Sequence, residues 1–494
     1  MSKLELLQKI KFGQRIAEEE TESLINYFVE TEDWRQLYSG EIDVIYGPKG
    51  AGKSALYTIL EKYREDLFFH KNIILTTAEN PRGNTVFEGL TVSPPTGETE
   101  FVRLWKLYFL VITITIFNDW KVTNKQLKKL NDHLEEAKLI PRQPGLKAIL
   151  RACREYLSKL ESISPNIEID NMTGNLSAGL KITFQQPTDE EYDAGMISID
   201  ELYQLLEDGL NESKFNLWIA VDRLDVAFTE NLELETNALK ALFKTYRDLS
   251  NLQHLKIKIF LRDDIWKRIT EEGFREASHI TKTLTILWSK ESLLNLITRR
   301  ILNNTELVDN YEIDVEDIMS DYQKQEELFY TLFPDQIDVG DKKPKTLDWI
   351  LSRLRDGKGI IAPRELVHLF NEARQEQVKK IQLGQNDLEK ENIIGRQAFK
   401  NALNEVSKVR LQQTIYPEYP SLKEYIEKLE GEKTEQTVQN LSKIWGLSIA
   451  EAGKIIKKLL DIGFMELKGE KSNQRYWVPF IYRGELNMSQ GKSE

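Results

Sequence analysis

Apolar side chains recur along the chain with two different periods, and together they predict short strands alternating with longer helices. Short apolar runs, typical of strands that are buried on both faces, lie at 42–46, 73–77, 217–221, 256–261 and 284–287. Between these runs, apolar residues spaced by three or four positions predict helices, for example over 14–39 and 234–249. The alternation predicts an α/β fold with a mainly parallel sheet covered on both faces.

A long segment separates the second strand from the third, and we interpret it as an insertion at residues 85–200. The helical periods in its first half fall at 102–120, 124–139 and 145–160. Its second half alternates like a β-hairpin around 176–185 and continues into an acidic loop at 187–195. Ser198 and Glu201 then form the capping-box pattern that predicts the start of a helix.

The chain after the last strand is predicted to be helical from residue 290 to about 409, apart from a polar loop at 334–345. Residues 421–486 predict three helices and a hairpin, the pattern of a winged helix. The final residues, 487–494, predict a disordered tail. The predicted domains are an N-terminal helical segment (1–40), a core with its insertion (41–300), a helical lid and linker (301–420), the winged helix and the tail.

The strand at 42–46 runs directly into the sequence Gly-Pro-Lys-Gly-Ala-Gly-Lys-Ser, and a helix follows it. Strand, glycine-rich loop and helix are the context that a phosphate-binding P-loop requires. Its glycines let the backbone approach phosphates, while N–H groups and the helix N-terminus favour negative charge. We predict that Lys53 bridges the β- and γ-phosphates and that Ser54 ligates magnesium. The predicted nucleotide-binding residues are Gly47, Pro48, Lys49, Gly50, Ala51, Gly52, Lys53, Ser54 and Ala55.

Asp222 follows the apolar strand 217–221 and is the predicted second magnesium ligand. Many ATPases of this broad class carry a Glu or Asp directly after that aspartate to orient water, but this chain has Arg223. Asp225 is one candidate for the water-orienting role, and Glu79, at the end of the second strand, is another. The third alternative is weak hydrolysis, with nucleotide binding alone as the signal.

Arg262 ends the strand 256–261 and has two open interpretations. If that strand lies between the P-loop strand and the Asp222 strand, Arg262 points at the γ-phosphate and acts as a sensor. The alternative is a salt bridge to a nearby carboxylate. The candidate partners are Asp263, Asp264 and Asp222.

Three further arginines lie beyond the sheet. Arg364 opens a helix in Gly-Ile-Ile-Ala-Pro-Arg-Glu-Leu and is the candidate lid arginine that contacts the nucleotide. Arg299 and Arg300 are either a solvated helix face or a finger that reaches the site of a neighbouring subunit.

Composition and charge limit the partners and the cellular compartment that we expect for the protein. The chain has 67 Lys and Arg against 79 Asp and Glu, a net charge of −12, so a global positive field for nucleic acid is absent and only a local patch remains open. Cys153 is the single cysteine, which excludes an intrachain disulfide. The charged N-terminus lacks a signal-peptide core, and no apolar run is long enough to span a membrane. We expect a cytoplasmic protein without a membrane partner.

The winged helix has two open roles. Its third helix carries lysines, and DNA contact through residues 435–483 is one alternative. Residues 421–494 hold 12 Lys or Arg and 11 Asp or Glu, however, so a strongly basic footprint is absent. The other alternative is a packing or autoinhibitory module.

With these motifs in view, the chain resembles the AAA+ and STAND branch of P-loop ATPases. The P-loop, the Val-Asp-Arg-Leu-Asp strand end at 221–225 and the order of sheet, lid and winged helix carry this likeness. Phe12-Gly13 and the run Phe-Leu-Arg-Asp-Asp-Ile-Trp at 260–266 look more narrowly like bacterial ATPases often found in antiphage-defence loci.

That resemblance implies a P-loop NTPase fold of the additional-strand type, with ATP and Mg²⁺ as cofactors and slow turnover as an open alternative. It implies that the segment 12–16 helps to hold the base and that the lid and winged helix close over the nucleotide as a switch. The output would be regulatory, through a protein partner or self-assembly in an oligomer, with the insertion as a candidate partner surface.

Overall fold

A computed structural model of the chain divides into two units, each of which we describe by itself. The sheet unit comprises Glu32–Gly47 and Lys53–Thr285, and the helical unit comprises Met1–Thr31, Pro48–Gly52 and Ile286–Glu494. The structure describes all residues except 16–19, 21–23, 80–85, 89–96, 144, 164–180, 224–230, 272, 386–387, 389–391, 471–473 and 494.

The sheet unit is built on a parallel sheet. Its strands are β1 (Val44–Gly47), β2 (Ile73–Thr77), β3 (Ile182–Thr183), β4 (Ile197–Ser198), β5 (Asn216–Val221), β6 (Leu255–Arg262) and β7 (Thr283–Thr285). Five of them form one sheet in the order β2-β5-β6-β1-β7, with every neighbouring pair parallel. β6 therefore lies between the P-loop strand β1 and the strand β5 that ends before Asp222. This order confirms the predicted additional-strand P-loop NTPase fold.

Helices cover the sheet and share its core. After α1 (Lys3–Lys9), which belongs to the helical unit, they are α2 (Glu32–Ser39), α3 (Lys53–Lys62), α4 (Arg64–Lys71), α5 (Glu98–Asp119), α6 (Lys125–Glu136), α7 (Leu146–Ile163), α8 (Asp189–Asp193), α9 (Ile199–Ser213), α10 (Leu232–Leu249) and α11 (Asp263–Glu271). α5 is apolar almost all round and packs within the core cluster of this unit, as expected for a helix surrounded by protein. No helix among the described residues is long and apolar enough to cross a membrane.

Three local predictions in this part of the chain were wrong. The single helix over 14–39 is instead a 3₁₀ turn at Leu24–Tyr27 and the separate helix α2, and the boundary between the two units falls between them, after Thr31. The hairpin around 176–185 is wrong where it is described, since β3 pairs in parallel with β4. The acidic loop contains α8, which Thr188 and Glu191 cap reciprocally.

The first part of the helical unit is the predicted lid. Its helices are α12 (Lys290–Leu302), α13 (Thr305–Asn310), α14 (Val315–Ser320), α15 (Tyr322–Leu332), α16 (Thr346–Leu354), α17 (Pro363–Gln382) and α18 (Arg396–Arg410), with a π-helical turn at Leu411–Ile415. Buried residues of α1 share their core cluster, and Phe12 lies 5.3 Å from Phe370 between ring centroids. The N-terminal segment is therefore part of the lid core.

The second part of the helical unit is a winged helix. It contains α19 (Tyr416–Glu418), α20 (Pro420–Glu427), β8 (Lys433–Gln436), α21 (Val438–Trp445), α22 (Ile449–Asp461), β9 (Glu466–Lys468), β10 (Arg475–Trp477), α23 (Phe480–Arg483) and β11 (Ser489–Lys492). Its sheet has the order β11-β8-β10-β9. The disordered tail was a wrong prediction for β11, because this segment pairs in parallel with β8 and gains backbone hydrogen bonds there.

The lid and the winged helix are joined by contacts that leave no space between their backbones. The Gly357 N–H donates to the Gly463 carbonyl at 2.7 Å, and a Cβ on Gly357 would lie 2.2 Å from the Met465 carbonyl oxygen. Only glycine fits at position 357 without a shift of the backbone. Within the lid, Arg410 at the end of α18 donates to the buried Glu365 carboxylate of α17 at 2.8 Å.

Candidate functional site

The P-loop follows β1 as the sequence predicts. Gly50 has φ +82° and Gly52 has φ +103°, a backbone region that residues with a Cβ rarely adopt. The Ala51 N–H donates to the Pro48 carbonyl at 3.2 Å and closes a tight turn. α3 begins at Lys53, so the free N–H groups of its first turn come directly after the loop.

The two predicted magnesium ligands lie together in the sheet unit. The Ser54 hydroxyl donates to Asp222 Oδ2 at 3.2 Å, although the two residues are 168 positions apart. Asp222 is buried, with 5% of its surface exposed, directly beyond β5. Lys53 Nζ donates to the Gly47 carbonyl at 2.7 Å. One hydroxyl and one carboxylate are the hard oxygen donors that Mg²⁺ takes when substrate phosphates and water fill its other positions.

The described residues contain no group of three or more His, Cys, Asp or Glu side chains that could hold a metal ion.

Arg262 forms a two-point ion pair with Asp264. Nε lies 3.0 Å from Oδ1 and Nη2 lies 2.7 Å from Oδ2. The predicted sensor role of Arg262 requires that its strand lies between the P-loop strand and the Asp222 strand. β6 does lie between β1 and β5. The structure contains the salt bridge to Asp264, one of the predicted alternatives, and the sensor role stays a prediction.

The structure describes one of the two candidates for orienting water. Asp225 lies outside the described residues. Glu79 is fully buried, and its two carboxylate oxygens lie 3.1 and 3.2 Å from the Val86 N–H that donates to them. Arg223 adopts φ +59°, a left-handed conformation that is uncommon for a residue other than glycine. Strained residues of this kind cluster at functional sites, but an arginine cannot provide the carboxylate that orients water.

Arg364 flanks the turn of the P-loop within the helical unit. It is the second residue of α17, after Pro363 at the first helical position. A Cβ on Gly50 would lie 3.2 Å from Arg364 Cβ and 3.5 Å from Arg364 Nε. Among the described residues, the buried Nε of Arg364 finds no hydrogen-bond acceptor. A buried cationic donor beside a phosphate-binding turn is chemically suited to an anionic ligand.

Two contacts on the P-loop were not foreseen from the sequence. The Trp288 indole N–H donates to the Ala51 carbonyl at 2.8 Å, and Lys49 forms an ion pair with Glu418 of α19. Neither Trp288 nor Glu418 belongs to a recognisable motif, so the sequence carries no signal for these contacts.

The interpretation of Arg300 as a solvated residue or a finger was wrong. Its guanidinium is buried, donates to the Phe12 carbonyl at 2.7 Å and pairs with Glu20 at 3.0 Å. Arg299 is half-buried, and its Nε donates to Asn295 Oδ1 at 2.9 Å. Arg300 therefore anchors the N-terminal segment to α12.

Comparison with known proteins gives one curated relative and no matching family model. The relative is the putative transposon gamma-delta 80.3 kDa protein of Escherichia coli (strain K12), which is 24% identical over 383 residues. The match covers 73% of this chain and 46% of the relative, so the chain spans about half the length of that protein.

Two solved structures align over nearly the whole chain at low similarity. The Aeropyrum pernix ORC2 protein in ADPNP-ADP complexes gives a TM-score of 0.36 and 11% identity, covering 97% of this chain and 94% of that chain. The Aeropyrum pernix ORC1 protein in complex with DNA gives 0.34 and 11%, covering 93% of each chain. Likenesses this weak carry no argument about ligands, and the fold assignment rests on the strand order and the P-loop geometry.

Proposed function

We propose that this protein is a magnesium-dependent ATPase that acts as a nucleotide-controlled switch. The observation that carries the proposal is the 3.2 Å approach of the Ser54 hydroxyl to the Asp222 carboxylate, with Lys53 beginning the helix beside them. These are the residue types that hold the metal and the β- and γ-phosphates in P-loop enzymes. A bound magnesium ion would neutralise phosphate charge and orient the triphosphate.

The chain's own groups have separate tasks in this proposal. The loop N–H groups and the first turn of α3 bind the phosphates, and Lys53 exchanges the Gly47 carbonyl for phosphate oxygens. Ser54 and Asp222 hold the metal. Arg262 and Arg364 sense the γ-phosphate, because both are cationic groups placed beside predicted phosphate-binding elements.

The output of the switch runs through the helical unit. Arg364 flanks Gly50, and the next residue, Glu365, accepts from Arg410 at 2.8 Å in a buried ion pair. Arg410 in turn lies close to Tyr482 of α23, in the winged helix. A change at Arg364 would therefore reach the winged helix through two buried contacts, which respond as discrete alternatives rather than gradually.

The test is ATP turnover by the wild type and by Lys53→Ala and Asp222→Ala, each with and without magnesium. We expect both variants to lose turnover, and chelation of magnesium to do the same in the wild type. Lys62→Ala, at the far end of α3, is the matched control and keeps full activity. Equal turnover in the wild type and all the variants would show that this site does not hydrolyse ATP.

The second candidate function is a scaffold that binds ATP tightly and hydrolyses it very slowly. Two observations favour it: Arg223 occupies the place of the usual water-orienting carboxylate, and both oxygens of Glu79 are held by the Val86 N–H. Measuring the nucleotide that copurifies with the protein separates the two candidates. Stoichiometric ATP favours the scaffold, and rapid multiple turnover excludes it.

We also propose, from the resemblance of the motifs, that the nucleotide is ATP rather than GTP and that the setting is bacterial antiphage defence in the cytoplasm. The partner would be another protein or further copies of this chain. Plating of a phage panel on cells that express the wild type or Lys53→Ala tests the setting. Protection that requires Lys53 supports it, whereas identical plating on both strains contradicts it.

A further inference from the structure

A carboxylate of the winged helix contacts the P-loop. Glu418, the last residue of α19, forms an ion pair with Lys49, which lies between Pro48 and Gly50 in the phosphate-binding turn. All of these residues belong to the helical unit. The Glu418 side chain is 14% exposed and the Lys49 side chain is 35% exposed, so water and salt screen this pair less than a pair on the open surface. A new charge near Lys49 therefore acts directly on Glu418.

Each partner of the ion pair is fixed to a different part of the helical unit. On the P-loop side, the Trp288 indole N–H donates to the Ala51 carbonyl at 2.8 Å, two residues after the paired lysine. On the other side, Ile415 and Leu422 flank Glu418 in the chain, and both are 2% exposed within the core cluster of the winged helix. The ion pair therefore links the P-loop to the winged helix.

The segment that carries Glu418 depends on tertiary contacts for its order. A π-helical turn at Leu411–Ile415 precedes α19, which has three residues. π-helical turns are rare and often occur at functional sites, and a helix of fewer than about 12 residues is not stable by itself. Loss of the ion pair to Lys49 would therefore loosen residues 416–421 and leave the buried core on either side in place.

Lys49 and Glu418 respond to a bound triphosphate in opposite directions. Phosphate oxygens attract the Lys49 ammonium, because hydrogen bonds between two charged groups are strong. The same phosphates repel the Glu418 carboxylate, and its burial limits the screening of that repulsion by water. The ion pair and a bound triphosphate therefore weaken each other, and by thermodynamic linkage each does so by the same factor.

We propose that Glu418 senses phosphate at the P-loop. It pairs with Lys49 when no nucleotide is bound and gives up this pair when a triphosphate binds. Its release loosens residues 416–421, so the winged helix responds to the nucleotide at the loop itself. The inference rests on the proposed function and adds a positioning residue to it, because Glu418 acts through Lys49 rather than on ATP. The ion pair stabilises the state without nucleotide and so lowers the affinity for ATP.

The test is binding of ATP, ADP and AMP to the full chain with magnesium, measured by titration calorimetry. The test variant Glu418→Gln keeps the size of the side chain and removes its charge. We expect it to bind ATP about fivefold or more tightly than the wild type, the lower end of the usual coupling between linked sites. The gain should be smaller for ADP and absent for AMP, because repulsion grows with the number of phosphate charges.

The matched control is Glu424→Gln, which removes the same charge from α20. Glu424 is exposed and pairs with Lys428 of its own segment, so its loss should leave the affinity for all three nucleotides unchanged. This control separates the contact with Lys49 from the general effect of removing a negative charge near the winged helix.

Hydrogen exchange of the amides in residues 416–421 reports the release of the segment. We expect ATP to speed exchange in the wild type, and Glu418→Gln to exchange fast without nucleotide. The charge-swapped variant Lys49→Glu/Glu418→Lys restores an ion pair, so its exchange without nucleotide should return toward that of the wild type. Fast exchange in the swapped variant would contradict the pairing.

Three binding results would overturn the inference: unchanged or weaker ATP binding by Glu418→Gln, an equal gain for ATP and AMP, or the same gain in Glu424→Gln. None of them touches the proposed function, provided that the wild type binds ATP. A wild type that binds no ATP defeats the proposed function, and this inference with it.

Discussion

The sheet unit and the helical unit use their charged residues in different ways. In the sheet unit, Ser54, Asp222 and Arg262 lie at or just beyond the ends of elements, where neighbouring parallel strands bring them to one edge. In the helical unit, the charges of Arg300 and Arg410 are buried in ion pairs that join distant parts of the chain. We propose that the first arrangement serves a ligand, whereas the second joins segments of the fold. Substitutions in each unit test this division.

The largest effect is expected at Arg300. Arg300→Met removes the guanidinium that pairs with the Glu20 carboxylate, whose side chain is 2% exposed. Removing one member of a buried ion pair costs about 3–5 kcal/mol, because the remaining charge stays desolvated. Urea unfolding measures the loss. Arg299→Met, the next residue along α12, is the control and should change stability by less than about 1 kcal/mol. Equal effects would show that burial of Arg300 is not what matters.

Arg262 tests the sheet unit, because its pair with Asp264 could serve either ligand or fold. If Arg262 is a sensor, Arg262→Ala lowers kcat by roughly 10²–10³, as expected for one lost donor to developing charge. Asp264→Asn breaks the same ion pair but keeps the arginine, so its kcat should stay within a few-fold of the wild type. Equal loss in both variants would make the pair structural, and the contrast between the units would fail there.

Lys258 is the exception within the sheet unit, since it is fully buried and pairs with Asp43 at 2.8 Å. Burial lowers the pKa of Lys258 to about 8 from 10.5, although Asp43 opposes the shift. The folded chain therefore releases this proton before the unfolded chain does, and its contribution to stability rises with pH between about 8 and 10.5.

We expect the free energy of unfolding of the wild type, minus that of Lys258→Met, to increase by on the order of 2 kcal/mol between pH 8 and pH 9.5. A group that titrates in one state only contributes about 1.36 kcal/mol per pH unit. Urea unfolding at several pH values measures it. A difference that is constant or that shrinks with pH would mean that Lys258 behaves like an ordinary paired lysine.

The smallest effect is expected at Trp288. Trp288→Phe keeps an aromatic ring but removes the N–H that donates to the Ala51 carbonyl. A neutral hydrogen bond contributes about 0.5–1.5 kcal/mol, so ATP affinity measured by titration calorimetry should fall by a few-fold to about tenfold. Trp349→Phe removes an indole hydrogen bond to Asp338 elsewhere in the helical unit. Its ATP affinity should not change. A similar loss of ATP affinity in both variants would show that the hydrogen bond from Trp288 to the P-loop has no specific role in binding.

The same division between the units decides what the sequence could predict. The P-loop is a local pattern, and the apolar runs predicted the positions of the strands closely. The run at 73–77 is β2, and the run at 217–221 is all but the first residue of β5. Strand ends in a parallel sheet share an edge, so even the pairing of Ser54 with Asp222 followed from local signals.

The contacts that were missed depend on the packing of distant segments. Arg300 and Glu20 are 280 positions apart, and helical spacing alone gave no sign that Arg300 faces the core. Trp288 and Glu418 reach the P-loop only because of how α12 and α19 pack, and no periodicity encodes that. The winged-helix tail was mispredicted for a related reason, since β11 is ordered by the strand that it joins rather than by its own polar residues.

The shared core of α1 and the lid also bears on how the protein is made. Leu6 and Leu7 pack in one cluster with residues that extend from Leu293 to Val406. At about 5–20 residues per second, a ribosome needs roughly 20 to 80 seconds to synthesise the roughly 400 residues from Leu7 to the last of these partners, Val406. During that time the first apolar helix has emerged while its binding surface does not yet exist. The nascent chain therefore presents an early site for chaperones, and slow codons within the sheet unit would lengthen its exposure.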